Sequence, residues 1–181
     1  RAFETRMGKT KMMKKRPFDS VIETPRLSLV LMQDNPDQML SYQALVCQNG
    51  SFLNAFPTML SQMGSRMRLG RFWLSLTYAN LTGTGANYLI YKKNDGNLIG
   101  QISLTKIDDK QASGELEIWI SQRHTHNGFA TEAQYALEQN FYARGLQKII
   151  GLIRKDNTAS LAMANKTGFR YVGKHSQIDI M

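Results

Sequence analysis

Hydrophobic and polar positions follow two periods along this chain. Leu27, Leu29 and Leu31 alternate with Ser28, Val30 and Met32, which reads as a first strand buried largely on both faces. Asp34-Asn35-Pro36 then offers a cap followed by proline, so a helix is predicted to about Gln48, with Asn49-Gly50 as its stop. Phe52 to Met63 is irregular around Pro57. A second helix is predicted from about Ser65 to Leu81, carrying Met67, Phe72, Trp73, Leu76 and Tyr78 and stopped by Thr82-Gly83-Thr84-Gly85. Asn87 to Lys93 and Leu98 to Lys106 are strands around Asn94-Asp95-Gly96-Asn97, a hairpin turn because Asp-Gly tolerates positive φ. A fourth strand, Gly114 to Ile120, completes an antiparallel meander.

The period then changes. From Thr131 the positions Ala133, Ala136, Leu137 and Phe141 recur at helical spacing until Gly145. Lys148 to Ile153 is a continuous apolar run, a strand covered on both faces, and the right-handed crossover makes it parallel to strand four. Asp156-Asn157 caps a short helix to about Lys166, Gly168 stops it, and Phe169 to Val172 begin a sixth strand.

The junction from Ser121 to Arg144 carries the first hint of chemistry. A strand ends, Asn127-Gly128 turns the chain, and a helix begins whose first N–H groups have no partners within the helix. Such a turn suits an anionic group, most often a phosphate.

Composition narrows the setting. The 181 residues are 42% hydrophobic and 20% charged, which fits one ordinary folded domain and excludes a chain disordered by composition. No run approaches the roughly 20 apolar residues of a spanning helix. The single Cys47 cannot form an internal disulfide, so a reducing, cytoplasmic setting is expected. The net charge of +9 is concentrated at one end: seven basic residues and one acid lie in the first 16 positions. Residues 1–17 read as a basic, solvated, flexible tail and 18–181 as a single domain. The tail is not a secretory signal, because Pro17-Phe18-Asp19 stands where an apolar segment belongs. Residue 1 is not methionine, and Met7, Met12 and Met13 are candidate natural starts.

Three segments together carry a resemblance: Glu23-Thr24-Pro25-Arg26-Leu27, then Asn127-Gly128-Phe129-Ala130-Thr131-Glu132-Ala133, then Asn157 to Phe169 (NTASLAMANKTGF). In this order and spacing the chain resembles the GNAT acetyltransferases, specifically the ribosomal-protein N-terminal acetyltransferase subgroup, over roughly residues 22 to 174. The resemblance implies an α/β (α+β) fold. Its mixed sheet of six to seven strands is flanked by helices, and strands four and five are parallel and splayed. It implies acetyl-CoA as co-substrate, with no metal, and a primary amine as acceptor.

By the same resemblance, the backbone of Ile118, Trp119 and Ile120 pairs with the pantetheine arm. The pyrophosphate lies on the loop and first turn formed by His126, Asn127, Gly128, Phe129, Ala130 and Thr131. Thr125 stands where Arg or Gln is usual, and His126 replaces a common glycine at a steric cost if its φ is positive. Asn157 corresponds to a residue holding the pantetheine arm, and Ser160 to one near the thiol that can protonate it. A tyrosine acid used by other members would fall at Ala164. For the base, Glu115 and Glu117 lie on one face of strand four with Trp119; Glu115 matches a frequent glutamate, and Glu117 stands where glycine is common. Plainer readings of the same residues stay open: Asn157 as an N-cap with Ser160 in the first turn, and the two acids on a solvated sheet face. Glu132 complements the helix dipole or orients the loop. His124 and His126 lack a clear third ligand, and no metal site is expected.

The acceptor is therefore a protein N-terminus or a small-molecule amine, with neither membrane nor nucleic acid as partner. The loops Phe52 to Met63 and Leu81 to Ala86 would set its identity. A catalytically degenerate acyl-CoA binder is the alternative. Members of the family close with a last strand inserted between strands five and six, whereas here only His175 to Met181 remains. Either Gln177 to Met181 is a short substitute, or another chain completes the sheet in a homodimer.

Overall fold

The computed structural model describes residues 1–6, 17–55 and 66–173. Its elements in chain order are β1 (Ala2–Arg6), β2 (Val21–Glu23), β3 (Leu27–Leu31), α1 (Pro36–Gln48), a 3-10 turn (Phe52–Ala55), α2 (Arg66–Thr82), β4 (Ala86–Lys92), β5 (Leu98–Asp108), β6 (Ser113–Ile120), a second 3-10 turn (Gln122–His124), α3 (Phe129–Ala143), β7 (Lys148–Leu152), α4 (Thr158–Lys166) and β8 (Arg170–Gly173). Among the described residues the strands form one mixed sheet, ordered β2-β3-β4-β5-β6-β7-β1-β8. The predicted strands one to six are β3 to β8. The sheet thus has eight strands, two of them outside the sequence reading: β2, which pairs with β3, and β1.

Local chemistry explains the boundaries. Asn35 caps α1 by accepting from the N–H groups of Asp37 and Gln38 at 2.8 and 3.2 Å, with Pro36 at the first helical position. Gly96, at φ +67°, turns the β4–β5 hairpin, and the Asp95 carboxylate accepts from the Asn97 N–H. At Gly100 a Cβ would lie 2.3 Å from the Trp119 carbonyl oxygen, so β5 and β6 approach there only because the residue is glycine.

The sheet separates two apolar layers. On one face Ile102, Leu104 and Ile120 pack against Ala133, Leu137 and Phe141 of α3 and Ala164 of α4. On the other, Leu89 and Trp119 pack against Tyr42, Leu45 and Val46 of α1 and Trp73 of α2. Of the Met and aromatic side chains of these two helices, Tyr42 and Trp73 are core and Met39 and Phe72 pack against them, whereas Tyr78 is exposed.

The largest departure from the sequence reading is at the amino end. Ala2–Arg6, assigned to the flexible tail, is β1, antiparallel to both β7 and β8. Phe3 is buried and meets the Tyr171 ring edge-on, with centroids 5.6 Å apart. The slot between β7 and β8, expected to need Gln177 to Met181 or a second chain, is filled by this segment. The argument for a homodimer completing the sheet therefore falls away. Residues 7–16, with most of the basic charge, and 174–181 lie outside the described residues, as do residues 56–63 of the anticipated acceptor loop. No described helix is long and apolar enough to cross a membrane.

Candidate active site

The site begins where two strands part. Parallel pairing of β6 with β7 runs from Ser113–Lys148 to Leu116–Gly151 and stops, while β6 stays paired to β5 as far as Ile120–Gly100. From Glu117 to Ile120 the edge of β6 that faces β7 is therefore unpaired, leaving backbone polar groups open to a ligand. This is the splay expected of strands four and five. Between the strands lies a cleft of about 590 Å³, and Ile118, Trp119 and Ile120 form one wall.

The loop after β6 and the first turns of α3 and α4 form the rest. His126, Gly128, Phe129, Ala130 and Thr131 all line the cleft, as do Asn157 and Ser160. Gly128 is the N-cap of α3 at φ +76°, in the left-handed region, and no side chain caps the helix. The first N–H groups of α3 are thus left for an external acceptor. His126 also sits at positive φ, +62°, so the steric cost anticipated for a side chain there is present. Asn127 does not line the cleft: its side-chain amide donates to the carbonyls of Thr125 and His124 at 2.9 and 3.3 Å and ties the loop to itself.

At the α4 end, Asn157 is an N-cap whose side-chain oxygen accepts from the Ser160 N–H at 3.0 Å. That cap fixes Ser160 in the first turn, half-buried, with its hydroxyl unbonded to any described residue. Ala164, where a tyrosine acid would stand, is buried against the core.

The two acids lie apart from this group. Glu115 and Glu117 share the face of β6 that carries the Trp119 indole, toward α1 and α2, and neither lines the cleft. Glu115 pairs with Lys106 at 3.1 Å. Among the described residues no cation pairs with Glu117; its one hydrogen bond is a long one, 3.4 Å, from the Thr105 hydroxyl. The Glu117 side chain is reached by solvent but sits amid dense protein. Desolvation raises its pKa first, and the neighbouring Glu115 charge adds to that. Gln101 accepts from the Tyr42 hydroxyl and, at 3.5 Å, from the Trp119 indole, and donates to Ser103 at 2.8 Å.

His124 lines the cleft, and its pKa is lowered, chiefly by desolvation and then by Lys92. Among the described residues no group of three His, Cys, Asp or Glu side chains is placed to hold a metal ion. Sequence reasoning did not single out Arg154 and Lys166, which stand at the cleft with Arg154 paired to Asp156 at 2.6 Å. Arg154 lies outside the segments that carry the resemblance, and Lys166, though within Asn157 to Phe169, is given no role by it. Glu132, in the first turn of α3, is tied to residues 24 and 26 rather than directly to the loop. It accepts from the Thr24 hydroxyl at 2.6 Å, the Arg26 N–H at 2.9 Å and Arg26 Nε at 2.6 Å. Desolvation alone would raise its carboxyl, but these bonds outweigh it and hold the pKa below the usual carboxylate range.

Comparison with known proteins gives a consistent result. A family model described as acetyltransferase (GNAT) domain matches residues 26–170. An uncharacterized protein of Bacillus subtilis, YkkB, is 32% identical over 107 residues, covering 58% of this chain and 62% of that protein. The ribosomal-protein-serine acetyltransferase of Escherichia coli is 27% identical over 100 residues, 55% of each chain. The chain thus spans little more than half the length of these relatives. Among solved structures, RimL, a ribosomal α-N-protein acetyltransferase in complex with coenzyme A, superposes with a TM-score of 0.74 at 20% identity, covering 84% of this chain and 85% of that one. The self-immunity acetyltransferase MccE, in complex with acetyl-CoA and AMP, gives 0.69 at 18% identity, covering 80% and 79%. With a family model matched across most of its length and the splayed, loop-capped cleft that the fold builds, the chain belongs to the GNAT acetyltransferase family.

Proposed function

We propose that this chain is an N-acetyltransferase that moves the acetyl group of acetyl-CoA to a primary amine, either a protein α-amine or a small-molecule amine. One observation carries the reading: β6–β7 pairing ends at Leu116–Gly151, and the cleft so opened runs to an α3 N-terminus that no side chain caps. An extended amide-bearing arm suits the first feature and a pyrophosphate the second. Acetyl-CoA supplies an activated thioester carbonyl.

The chain's own residues would do the following. The edge of Ile118 to Ile120 holds the extended arm by backbone pairing, and the N–H groups of Phe129 to Thr131 receive the pyrophosphate. Asn157 sets the first turn of α4, so that the free Ser160 hydroxyl stands in the cleft as the donor of a proton to the departing sulfur. The acceptor arrives as an ammonium and must become neutral to attack. Glu117, its pKa raised and paired with no cation among the described residues, attracts that ammonium and takes its proton, through water because it is not a cleft-lining group. Glu115, engaged by Lys106, tunes Glu117 through its charge. Holding the two substrates together supplies much of the acceleration.

Calorimetric titration with acetyl-CoA, run beside an assay for free coenzyme A thiol on a panel of N-terminal peptides and polyamines, tests this directly. Binding with acceptor-dependent thiol release is expected. Binding without release for any acceptor would support the degenerate-binder alternative, which the strained His126 backbone favours. Absence of binding would overturn both.

A further inference from the structure

The turn between β2 and β3 (residues 23–26) touches the cofactor-facing loop from outside the cleft. Thr24 and Arg26 supply all three hydrogen bonds to Glu132. The same guanidinium donates through Nη1 to the Asn127 carbonyl at 3.0 Å, and its Cζ lies 4.6 Å from the centroid of the Phe129 ring. Arg26 thus meets the loop, the first helical residue and the first-turn acid at once. The turn is anchored in its own right: Lys93 pairs with Glu23 at 2.8 Å, and its N–H donates to the Arg26 carbonyl at 3.0 Å.

Electrostatics give this arrangement a purpose beyond rigidity. A carboxylate in the first turn of α3 stabilises the helix dipole but repels any anion seated on the same N–H groups. Arg26 cancels that charge from the side away from the cleft. Its fork also holds the Asn127 carbonyl against the guanidinium, so that this dipole does not turn toward the ligand. We propose that Arg26 is a positioning residue for the pyrophosphate of the co-substrate: it neutralises Glu132 and fixes the loop that Gly128 and His126 bend. The inference rests on the acetyl-CoA reading above.

The test is the dissociation constant of coenzyme A, measured by calorimetry for the wild type, Arg26→Lys and Arg26→Gln, with the melting temperature of each. Arg26→Gln should weaken binding about tenfold and raise KM for acetyl-CoA by a similar factor, with kcat changed less than about twofold. Arg26→Lys, which keeps the charge but not the fork, should fall between, and it carries the test if Arg26→Gln does not fold. In a Glu132→Gln background, where there is no charge to cancel, Arg26→Gln should cost less than about threefold. A merely structural brace would lower the melting temperature and the affinity together, so the loss of affinity is read against an unchanged melting temperature. Coenzyme A affinity within twofold of wild type for both Arg26 variants, or an equal loss with and without Glu132, would overturn the proposal. A wild-type chain that does not bind coenzyme A would instead overturn the acetyl-CoA reading.

Discussion

The Asn49 side-chain oxygen accepts from the Ser121 hydroxyl at 3.0 Å, joining the end of α1 to the end of β6. The same oxygen accepts from the Gln122 N–H at 2.9 Å, while the Asn49 amide donates to the Leu45 carbonyl at 2.8 Å. One buried side chain thus fixes the end of α1 to the end of the strand that leads into the loop before α3. Asn49→Ala strands three polar groups and should cost about 2–3 kcal/mol, visible as a drop in urea midpoint with unchanged slope. An unchanged midpoint would show that the tie contributes nothing.

Glu117 should govern the acid limb of activity. Its carboxyl is raised by desolvation and by Glu115, so the basic form accumulates only as pH climbs past the ordinary carboxylate range. kcat/KM should therefore rise with pH through that elevated pKa. Glu117→Gln should lower kcat by about 100-fold or more and abolish the acid limb. A variant with wild-type rate and profile would remove Glu117 as the base.

His126→Gly removes a side chain from a left-handed backbone position. Relief of strain should leave stability unchanged or raise it by up to about 1 kcal/mol, because the added freedom of glycine in the unfolded chain offsets part of the gain. Thermal melting decides, and a fall of more than a degree or two would mean that the imidazole makes a contact worth more than the strain.

Glu138 on α3 offers a pH test of stability. It is buried, accepts from the Gln134 side chain at 2.7 Å, and is pushed up to about 7 by desolvation, against which that hydrogen bond acts. The folded state holds this proton more tightly than the unfolded chain does. Its contribution is fully present below the unfolded value of 4.5 and is lost as pH rises through about 7. Melting temperature should accordingly decline between those values. Glu138→Gln should flatten the decline and stabilise the protein above pH 7 by roughly 1–3 kcal/mol. The same slope in both proteins would contradict the assignment.

Much of this architecture was legible because its signals are local. Leu27 to Leu31, the Asp95-Gly96 turn, the Lys148 to Ile153 run and the Asn157 cap each specify their element within a few residues, and their order specifies the meander and crossover. The helix start was two residues late: α3 begins at Phe129 because Gly128 caps it through backbone conformation alone, with no side-chain signature to read. What stayed hidden is long-range. Nothing in Ala2-Phe3-Glu4-Thr5-Arg6 announces a strand whose partners lie beyond residue 147, and the basic run after it reads as a solvated end. Arg26 was visible as part of a motif, but its partner Glu132 is 106 residues away, so only the fold joins them. Of the residues the resemblance named, most line the cleft, while Glu115 and Glu117 lie outside it and Asn127 is turned in on its own loop.

The position of β1 bears on how the chain reaches this state. Its backbone bonds run to β7 and β8, so Ala2–Arg6 has no partner until the chain has been made through β7, and its second ladder waits for residues 170–173. The contact from Arg1 to Ile153 spans 152 positions, among the costliest loops this chain could close. Before β1 docks, β7 has an open edge on the side away from β6, and β8, which pairs only with β1 among the described strands, is not yet joined to the sheet. That edge is one on which any extended peptide could pair before β1 arrives.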